Sequence, residues 1–134
     1  MTKQTLNPPE LFNSLQYGFS QMVASSGSRT IHMSGQVAWD ENQNIVGEGD
    51  LAAQVEQSLK NVDAALKTIG ASIHDVVTMR IYIVSDYMEE SGCVSAALRR
   101  WFSAETAPTT TWLGISCLAR PEFLVEIEAV AVID

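Results

Sequence analysis

The chain has few cysteines and no long apolar segment. Cys93 and Cys117 are far apart and form no CxxC motif, so the sequence predicts neither a disulfide framework nor a thiolate zinc site. This cysteine content is typical of the reducing cytoplasm. No apolar run reaches the length of a membrane span, and residues 1–9 lack the apolar core of a signal peptide. We therefore expect a soluble cytoplasmic protein.

Basic residues are also scarce, since eight Lys and Arg stand against 16 Asp and Glu, for a net charge of −8. Such a charge opposes attraction to phosphate backbones and to anionic membrane surfaces. The sequence therefore predicts that neither nucleic acid nor membrane is a partner. The two histidines, His32 and His74, are isolated in the sequence, and no metal site is predicted.

The length and the 46% hydrophobic content predict one compact domain over residues 1–134. Residues 1–15 mix polar residues with two prolines and are interpreted as an arm or loop. Two short extended runs, 19–24 and 30–37, flank a glycine-containing connection and predict an N-terminal hairpin. Both predictions rest on local sequence alone.

The remaining elements follow from hydrophobic periodicity. Asp50 is a good N-cap for a helix that Gly70 ends. A second helix is expected to follow Ser85-Asp86 and to run to Phe102, with Glu89 and Glu90 in its first turn and Arg99 and Arg100 near its end, the charge order that the helix dipole favours. Alternation or apolar runs predict strands over 76–84, 109–115 and 123–133. The predicted order is ββαβαββ, an α+β fold with a mixed sheet and both helices on one face.

The last predicted strand carries two carboxylates in an apolar run. Because side chains alternate along a strand, Glu126 and Glu128 point the same way, roughly 7 Å apart. Carboxylates in such surroundings need a partner, so the pair is either a structural ion-pair device or part of a site. The strand is apolar on both faces, and the face without helices needs covering. We therefore expect a closed homo-oligomer.

An ordered series of short motifs resembles the RidA/YjgF family of reactive intermediate deaminases over roughly residues 16–133. The series consists of Phe19-Ser20-Gln21, Ser34-Gly35-Gln36, a helix with Gln54, Gln57, Leu59 and Asn61, then Pro108, and finally Glu126-Ile127-Glu128-Ala129. The resemblance implies a chorismate-mutase-like homotrimer with ligand clefts between subunits. It also implies hydrolysis of imines and enamines such as 2-aminoacrylate to keto acids and ammonia, with no metal or cofactor.

The resemblance assigns roles to particular residues. It implies that Glu126 orients the attacking water, and that Phe19, Ser34, Gly35, Thr110 and Trp112 bind substrate. In the deaminases, however, Pro-x-Arg-Ser-Cys occupies the stretch that here reads Pro108-Thr109-Thr110-Thr111-Trp112. Thr110 thus stands where the family's arginine binds the substrate carboxylate, and Phe19 and Ser95 stand for a pocket tyrosine and asparagine. The chain resembles a divergent branch without the carboxylate anchor.

Several residues keep a structural interpretation beside the functional one. Arg80, Arg29 or Arg120 either replaces the missing anchor or is solvated or paired. The hydroxyl of Thr110 either lines a cleft or belongs to an ordinary strand, and Trp112 either narrows the pocket or anchors a subunit interface. Glu128 is expected to be structural and to pair with an arginine.

Three functions follow. The first is a RidA-like protein that binds a small metabolite between subunits and hydrolyses imine-type substrates, with 2-aminoacrylate disfavoured. The second is a non-catalytic trimer that binds or senses a small molecule in the same clefts. The third, an endoribonuclease or translation inhibitor, is opposed by the net charge of −8.

Overall fold

The computed structural model describes residues 2–134 and gives that part of the chain an α+β fold. One N-terminal strand precedes the predicted ββαβαββ series, and the α+β prediction is confirmed. In chain order the elements are β1 (Thr2–Leu6), β2 (Met22–Ser26), β3 (Arg29–Gln36), α1 (Leu51–Lys67), β4 (Val76–Val84), α2 (Gly92–Trp101), β5 (Thr109–Ile115) and β6 (Val125–Ile133).

The main sheet has the strand order β3-β6-β4-β5. Strand β6 pairs antiparallel with β3 on one side and with β4 on the other, while β4 and β5 run parallel. The last strand of the chain is therefore central in the sheet. Its backbone groups are therefore paired with a neighbouring strand on each side.

The hydrophobic core lies between the sheet and the two helices. The odd-numbered residues of β6 from Val125 to Ala131 are buried, as are Met79, Ile81 and Ile83 of β4. Residues of α1 and α2 join them in one cluster, including Val55, Leu59, Val62, Val94 and Leu98. Both helices thus pack on one face of the sheet, as the sequence predicts. We call the other face the open face.

Helix α1 begins and ends where its sequence predicts. The Asp50 carboxylate accepts a hydrogen bond from the backbone N–H of Ala53 at 3.1 Å, which satisfies a donor that the first helical turn leaves unpaired. After the helix, Gly70 has φ 77°, a left-handed conformation that glycine adopts without steric cost.

The predicted N-terminal hairpin is wrong. Strand β2 pairs antiparallel with β1, and β3 pairs with β6 in the other sheet. The interpretation of residues 1–15 as an arm or loop is also wrong for Thr2–Leu6, which form β1. Both errors have the same physical cause. Each strand pairs with a strand that lies far from it in the sequence, and a local sequence pattern does not predict such pairing.

Lys3 holds β1 against the rest of the domain. Its ammonium group donates to the backbone carbonyls of His74, Val76 and Thr106 at 2.8, 2.7 and 2.6 Å. Burial lowers the pKa of Lys3 to about 8, although the nearby Asp75 carboxylate raises it. One side chain therefore satisfies three carbonyls, two at or just before the start of β4 and one between α2 and β5.

The second helix is shorter than predicted. Residues Ser85–Glu90 form a 3-10 segment, and α2 begins only at Gly92. Glu89 and Glu90 therefore precede the helix instead of forming its first turn, while Arg99 and Arg100 lie in the last turn as predicted. Between residues 2 and 134, no helix is both long and apolar enough to cross a membrane.

Candidate functional site

Glu126 and Glu128 both lie on the open face, as alternation along β6 predicts. Across the antiparallel pairing with β4, Tyr82 is opposite Glu126 and Arg80 is opposite Glu128. The Tyr82 hydroxyl donates to the Glu128 carboxylate, which raises the pKa of Tyr82. Arg80 forms an ion pair with the same carboxylate at 4.0 Å. The Glu128 carboxylate is thus paired, and the prediction of an arginine partner is confirmed.

Glu126 is held in a different way, by close packing against a glycine. A Cβ atom added at Gly35 would overlap the Glu126 carboxylate as it is placed here, so the glycine leaves room for this carboxylate against the backbone of β3. Between Met33 and Gln36, β3 has one more residue than the facing segment of β6. Such a bulge often re-aims side chains beside a site. Ser34 is exposed within it. We call Ser34, Gly35 and Glu126 the carboxylate half-site.

The two glutamates therefore differ in availability. Within residues 2–134, the Glu126 side chain makes no hydrogen bond or ion pair, while the Glu128 side chain makes both. A carboxylate has about four acceptor positions. In Glu126 these positions remain open to a water molecule or a ligand.

A cleft of about 340 Å³ lies at the β5 edge of the sheet. Within β5, Thr110 is opposite Met79 and Trp112 is opposite Ile81, and both β4 residues are buried against the helices. Residues opposite one another on neighbouring strands share a face. Thr110 and Trp112 are therefore on the helix-covered face. Together with three aromatic residues they line what we call the aromatic cleft, which consists of Phe12, Tyr17, Phe19, Thr110 and Trp112.

The aromatic side chains of this cleft form a connected series. Phe12 lies 6.4 Å from Tyr17 and 6.2 Å from Phe19, and Phe19 lies 6.2 Å from Trp112, measured between ring centroids. All three pairs are tilted or edge-to-face, as ring quadrupoles favour. The Trp112 indole N–H donates to the Thr110 hydroxyl at 3.0 Å. The indole donor is thus already used by the protein itself.

The structure brings the sequence-predicted residues together in two groups. Phe19, Thr110 and Trp112 meet in the aromatic cleft, while Gly35 lies against Glu126 and Ser34 precedes Gly35 in the bulge of β3. The cleft opens on the helix-covered face at the β5 edge, whereas Glu126 lies on the open face. Within a single chain, the two groups of residues therefore do not form one site. Ser95, the other position carried by the resemblance, is buried in α2.

None of the three candidate arginines lines the aromatic cleft. Arg80 pairs with Glu128 on the open face. The Arg29 Nε donates to the carbonyl oxygen of Asp134 at 3.2 Å, and the Arg120 guanidinium lies 5.2 Å from the centre of the Trp39 ring. Arg99, near the cleft, donates to the Gln16 carbonyl. No basic side chain of the described chain replaces the missing anchor inside this cleft.

Two cleft residues, Phe12 and Tyr17, are not among the site residues that the sequence predicts. They lie in the segment before β2, and their exposed fractions are 59% and 44%. The usable signal is their character, because two aromatic residues in a polar segment have no core position to fill. Exposed aromatic residues of this kind often belong to a binding surface.

Among residues 2–134, no cluster of three or more His, Cys, Asp or Glu side chains is arranged to hold a metal ion. Burial raises the pKa of the Cys93 thiol, which is opposite to the shift that activates a nucleophilic cysteine.

A second concavity, of about 610 Å³, lies between residues 35–41 and α1. There Asn61 donates to the carbonyls of Val37 and Trp39.

Comparison with known proteins places the chain among relatives of one kind. A family model described as "Endoribonuclease L-PSP" matches residues 13–133. A RutC family protein of Synechocystis is 30% identical over 116 residues, which are 86% of this chain and 85% of that protein. The 2-iminobutanoate/2-iminopropanoate deaminase of Mus musculus is 31% identical over 104 residues, covering 78% of this chain and 74% of the enzyme.

Solved structures agree with these relatives. The Rid family protein YyfB of Yersinia pestis, of unknown function, is 36% identical and superimposes with a TM-score of 0.92 over 98% of this chain and 99% of that one. The YjgF protein of E. coli is 26% identical, with a TM-score of 0.67 over 85% and 87% of the two chains. The α+β fold is thus the chorismate-mutase-like fold of these proteins, and the chain belongs to the RidA/YjgF family.

Proposed function

We propose that the protein is a homotrimer that binds small imines in clefts between its subunits and hydrolyses them to a carbonyl compound and ammonia. One observation carries the proposal. The carboxylate half-site and the aromatic cleft lie on different faces of the sheet, and each is incomplete alone. A neighbouring subunit that covers the open face supplies the second half of every cleft.

Residues on the open face support an oligomer. Val130 of β6 and Leu113 and Ile115 of β5 project there, and all three are half-buried in the single chain. No helix within residues 2–134 covers this face, which lies opposite the core cluster. Most soluble oligomers are symmetric, and a cyclic arrangement would build the same cleft at each interface.

The proposed chemistry follows from Glu126. Its carboxylate accepts a hydrogen bond from a water molecule and so directs the water oxygen toward the imine carbon. As the carbon–oxygen bond forms, one water proton passes to the carboxylate. The carboxylate returns that proton to the nitrogen, which gives an amino alcohol. It then carries the hydroxyl proton to the nitrogen, so that the carbon–nitrogen bond breaks, the carbonyl forms and ammonia leaves. The steps balance without any further reactant, and they require neither a metal nor a cofactor.

The substrate is proposed to differ from amino-acid-derived imines such as 2-aminoacrylate. The mouse relative is named for 2-iminobutanoate and 2-iminopropanoate, both of which carry a carboxylate. An arginine binds a carboxylate through two parallel hydrogen bonds, and Thr110 offers one hydroxyl that already accepts from Trp112. A carboxylate in this cleft would lose its hydration without gaining a charged partner.

RNA cleavage is the weaker proposal, although the family model is described as an endoribonuclease. Affinity for RNA depends on basic side chains that contact phosphates. Here Arg80 and Arg100 pair with glutamates, and Lys67 pairs with Asp63. The net charge of −8 also opposes binding to RNA.

A cytoplasmic location stays a prediction.

The test is ammonia release from freshly generated imines with and without a carboxylate. We expect the wild type to accelerate hydrolysis of carboxylate-free imines above the uncatalysed rate. Thr110→Arg is expected to shift the preference toward carboxylate-bearing imines by at least about tenfold, because it restores a bidentate anion partner. Thr110→Gln, which adds length without charge, is the control and should not cause this shift.

Two results would contradict the proposal. One is a ligand-dependent rise in melting temperature with no ammonia release from any imine, because binding to the folded state alone is sufficient for such a rise. That result would favour a non-catalytic binding protein. The other is a wild type that prefers carboxylate-bearing imines, which would mean that another group supplies the anchor.

A further inference from the structure

The aromatic cleft differs from an anion site in its lining. Four of its five side chains are aromatic, and the fifth is Thr110. Its indole donor is already engaged by the Thr110 hydroxyl at 3.0 Å. The lining therefore offers a bound group ring surfaces and few hydrogen-bond donors.

Ring surfaces have a preferred partner. The face of an aromatic ring carries partial negative charge, so it attracts cations and disfavours anions. The centroid separations of 6.2–6.4 Å place neighbouring rings close enough for one small group to contact more than one of them. The net charge of −8 acts in the same direction, because it raises the local concentration of cations.

We infer that the aromatic cleft takes its ligand as an organic cation that carries an apolar or aromatic group and no carboxylate. In the proposed reaction, which this inference deepens and on which it rests, such a cation is the protonated form of a carboxylate-free imine. Protonation also makes the imine carbon more electrophilic. The rings thus stabilise the form of the substrate that water attacks most readily.

Phe12 is the most informative residue for this inference. It contacts both Tyr17 and Phe19, and its exposed fraction of 59% means that folding does not depend on burying it. Leucine at this position keeps an apolar side chain and removes the ring quadrupole. A loss of affinity specific to cations would therefore report on the ring face and not on apolar contact.

The experiment uses three stable probes of similar size, benzylammonium, benzyl alcohol and phenylacetate, with affinities measured by calorimetry at fixed ionic strength. We expect benzylammonium to bind at least about tenfold more tightly than phenylacetate, with benzyl alcohol between them. Phe12→Leu should weaken benzylammonium about three- to fivefold and change benzyl alcohol less than about twofold. Leu11→Ala, an exposed neighbour outside the cleft lining, should change neither.

Three results would overturn the inference. Phenylacetate that binds as tightly as benzylammonium would mean that an anion partner exists. An unchanged benzylammonium affinity in Phe12→Leu would mean that the cation binds elsewhere on an acidic surface. Absence of binding by all three probes would exclude the cleft as their site. Because the probes are not hydrolysed, these outcomes are independent of turnover, so failure of this inference and failure of the proposed reaction are distinguishable.

Discussion

Glu126→Gln is expected to lower the turnover number for imine hydrolysis by at least about 100-fold, which is the lower range for removal of a general acid–base group. Glutamine keeps the size of the side chain beside Gly35 but cannot take a proton from water. The measurement is ammonia release at saturating substrate, with the melting temperature recorded for each variant. The melting temperature should change little, because within residues 2–134 Glu126 forms no ion pair.

Glu128→Gln is the matched control, since the same chemical change is made two residues away on the same strand face. Glu128 contacts Tyr82 and Arg80, so its replacement should leave turnover within about fivefold of the wild type and act mainly on local packing. Equal losses in both variants would mean that the charge of the face matters and not the position of Glu126. A folded Glu126→Gln variant with wild-type turnover would contradict the proposed role.

Gln54→Ala should cost about 3–5 kcal/mol in free energy of unfolding. The Gln54 side chain is fully buried and makes three hydrogen bonds. Its amide nitrogen donates to the carbonyls of Gly47 at 3.1 Å and Glu122 at 2.9 Å, and its oxygen accepts from the N–H of Leu124 at 2.9 Å. Alanine leaves these backbone groups without partners and adds a cavity.

Urea unfolding at fixed protein concentration measures this change, because oligomerisation makes stability depend on concentration. Gln57→Ala is the control. Gln57 donates only to Asn61, on the same helix, so its loss should cost less than about 1.5 kcal/mol. A Gln54→Ala loss below about 1 kcal/mol would mean that water replaces all three partners and that Gln54 does not hold the segment before β6.

The sequence predicts well where a local signal and the fold agree. Strand β4 begins and ends where alternation predicts, and α1 has the cap that Asp50 implies. The two ends of the domain show where local sequence patterns do not predict the fold. Lys3 joins β1 to carbonyls more than 70 residues away, and no local pattern contains that information. Pairing of β3 with β6 likewise depends on residues about 100 positions apart.

The candidate site was predictable to a similar extent. Alternation along β6 predicts that Glu126 and Glu128 share a face, and the structure adds that only Glu128 is paired. The resemblance selects Phe19, Thr110 and Trp112, which do meet in one cleft. The sequence does not show that Phe12 belongs to this cleft, because the packing of its segment against β5 is not contained in a local pattern. The separation of the two groups onto different faces depends on strand order, which a single sequence does not state.

The central claim, that two subunits complete each site, is tested most directly by mixing two inactive variants. Glu126→Gln removes the carboxylate from the carboxylate half-site but keeps the aromatic cleft intact. Thr110→Arg keeps the carboxylate but places a cation in the aromatic cleft, where it repels a carboxylate-free iminium. Each alone should hydrolyse such an imine poorly. After the two are unfolded together and refolded in equal amounts, about a quarter of the clefts should combine two intact halves, and activity should rise to about that fraction of the wild type. If mass spectrometry shows mixed oligomers and activity stays at the level of the separate variants, the shared-site account is wrong.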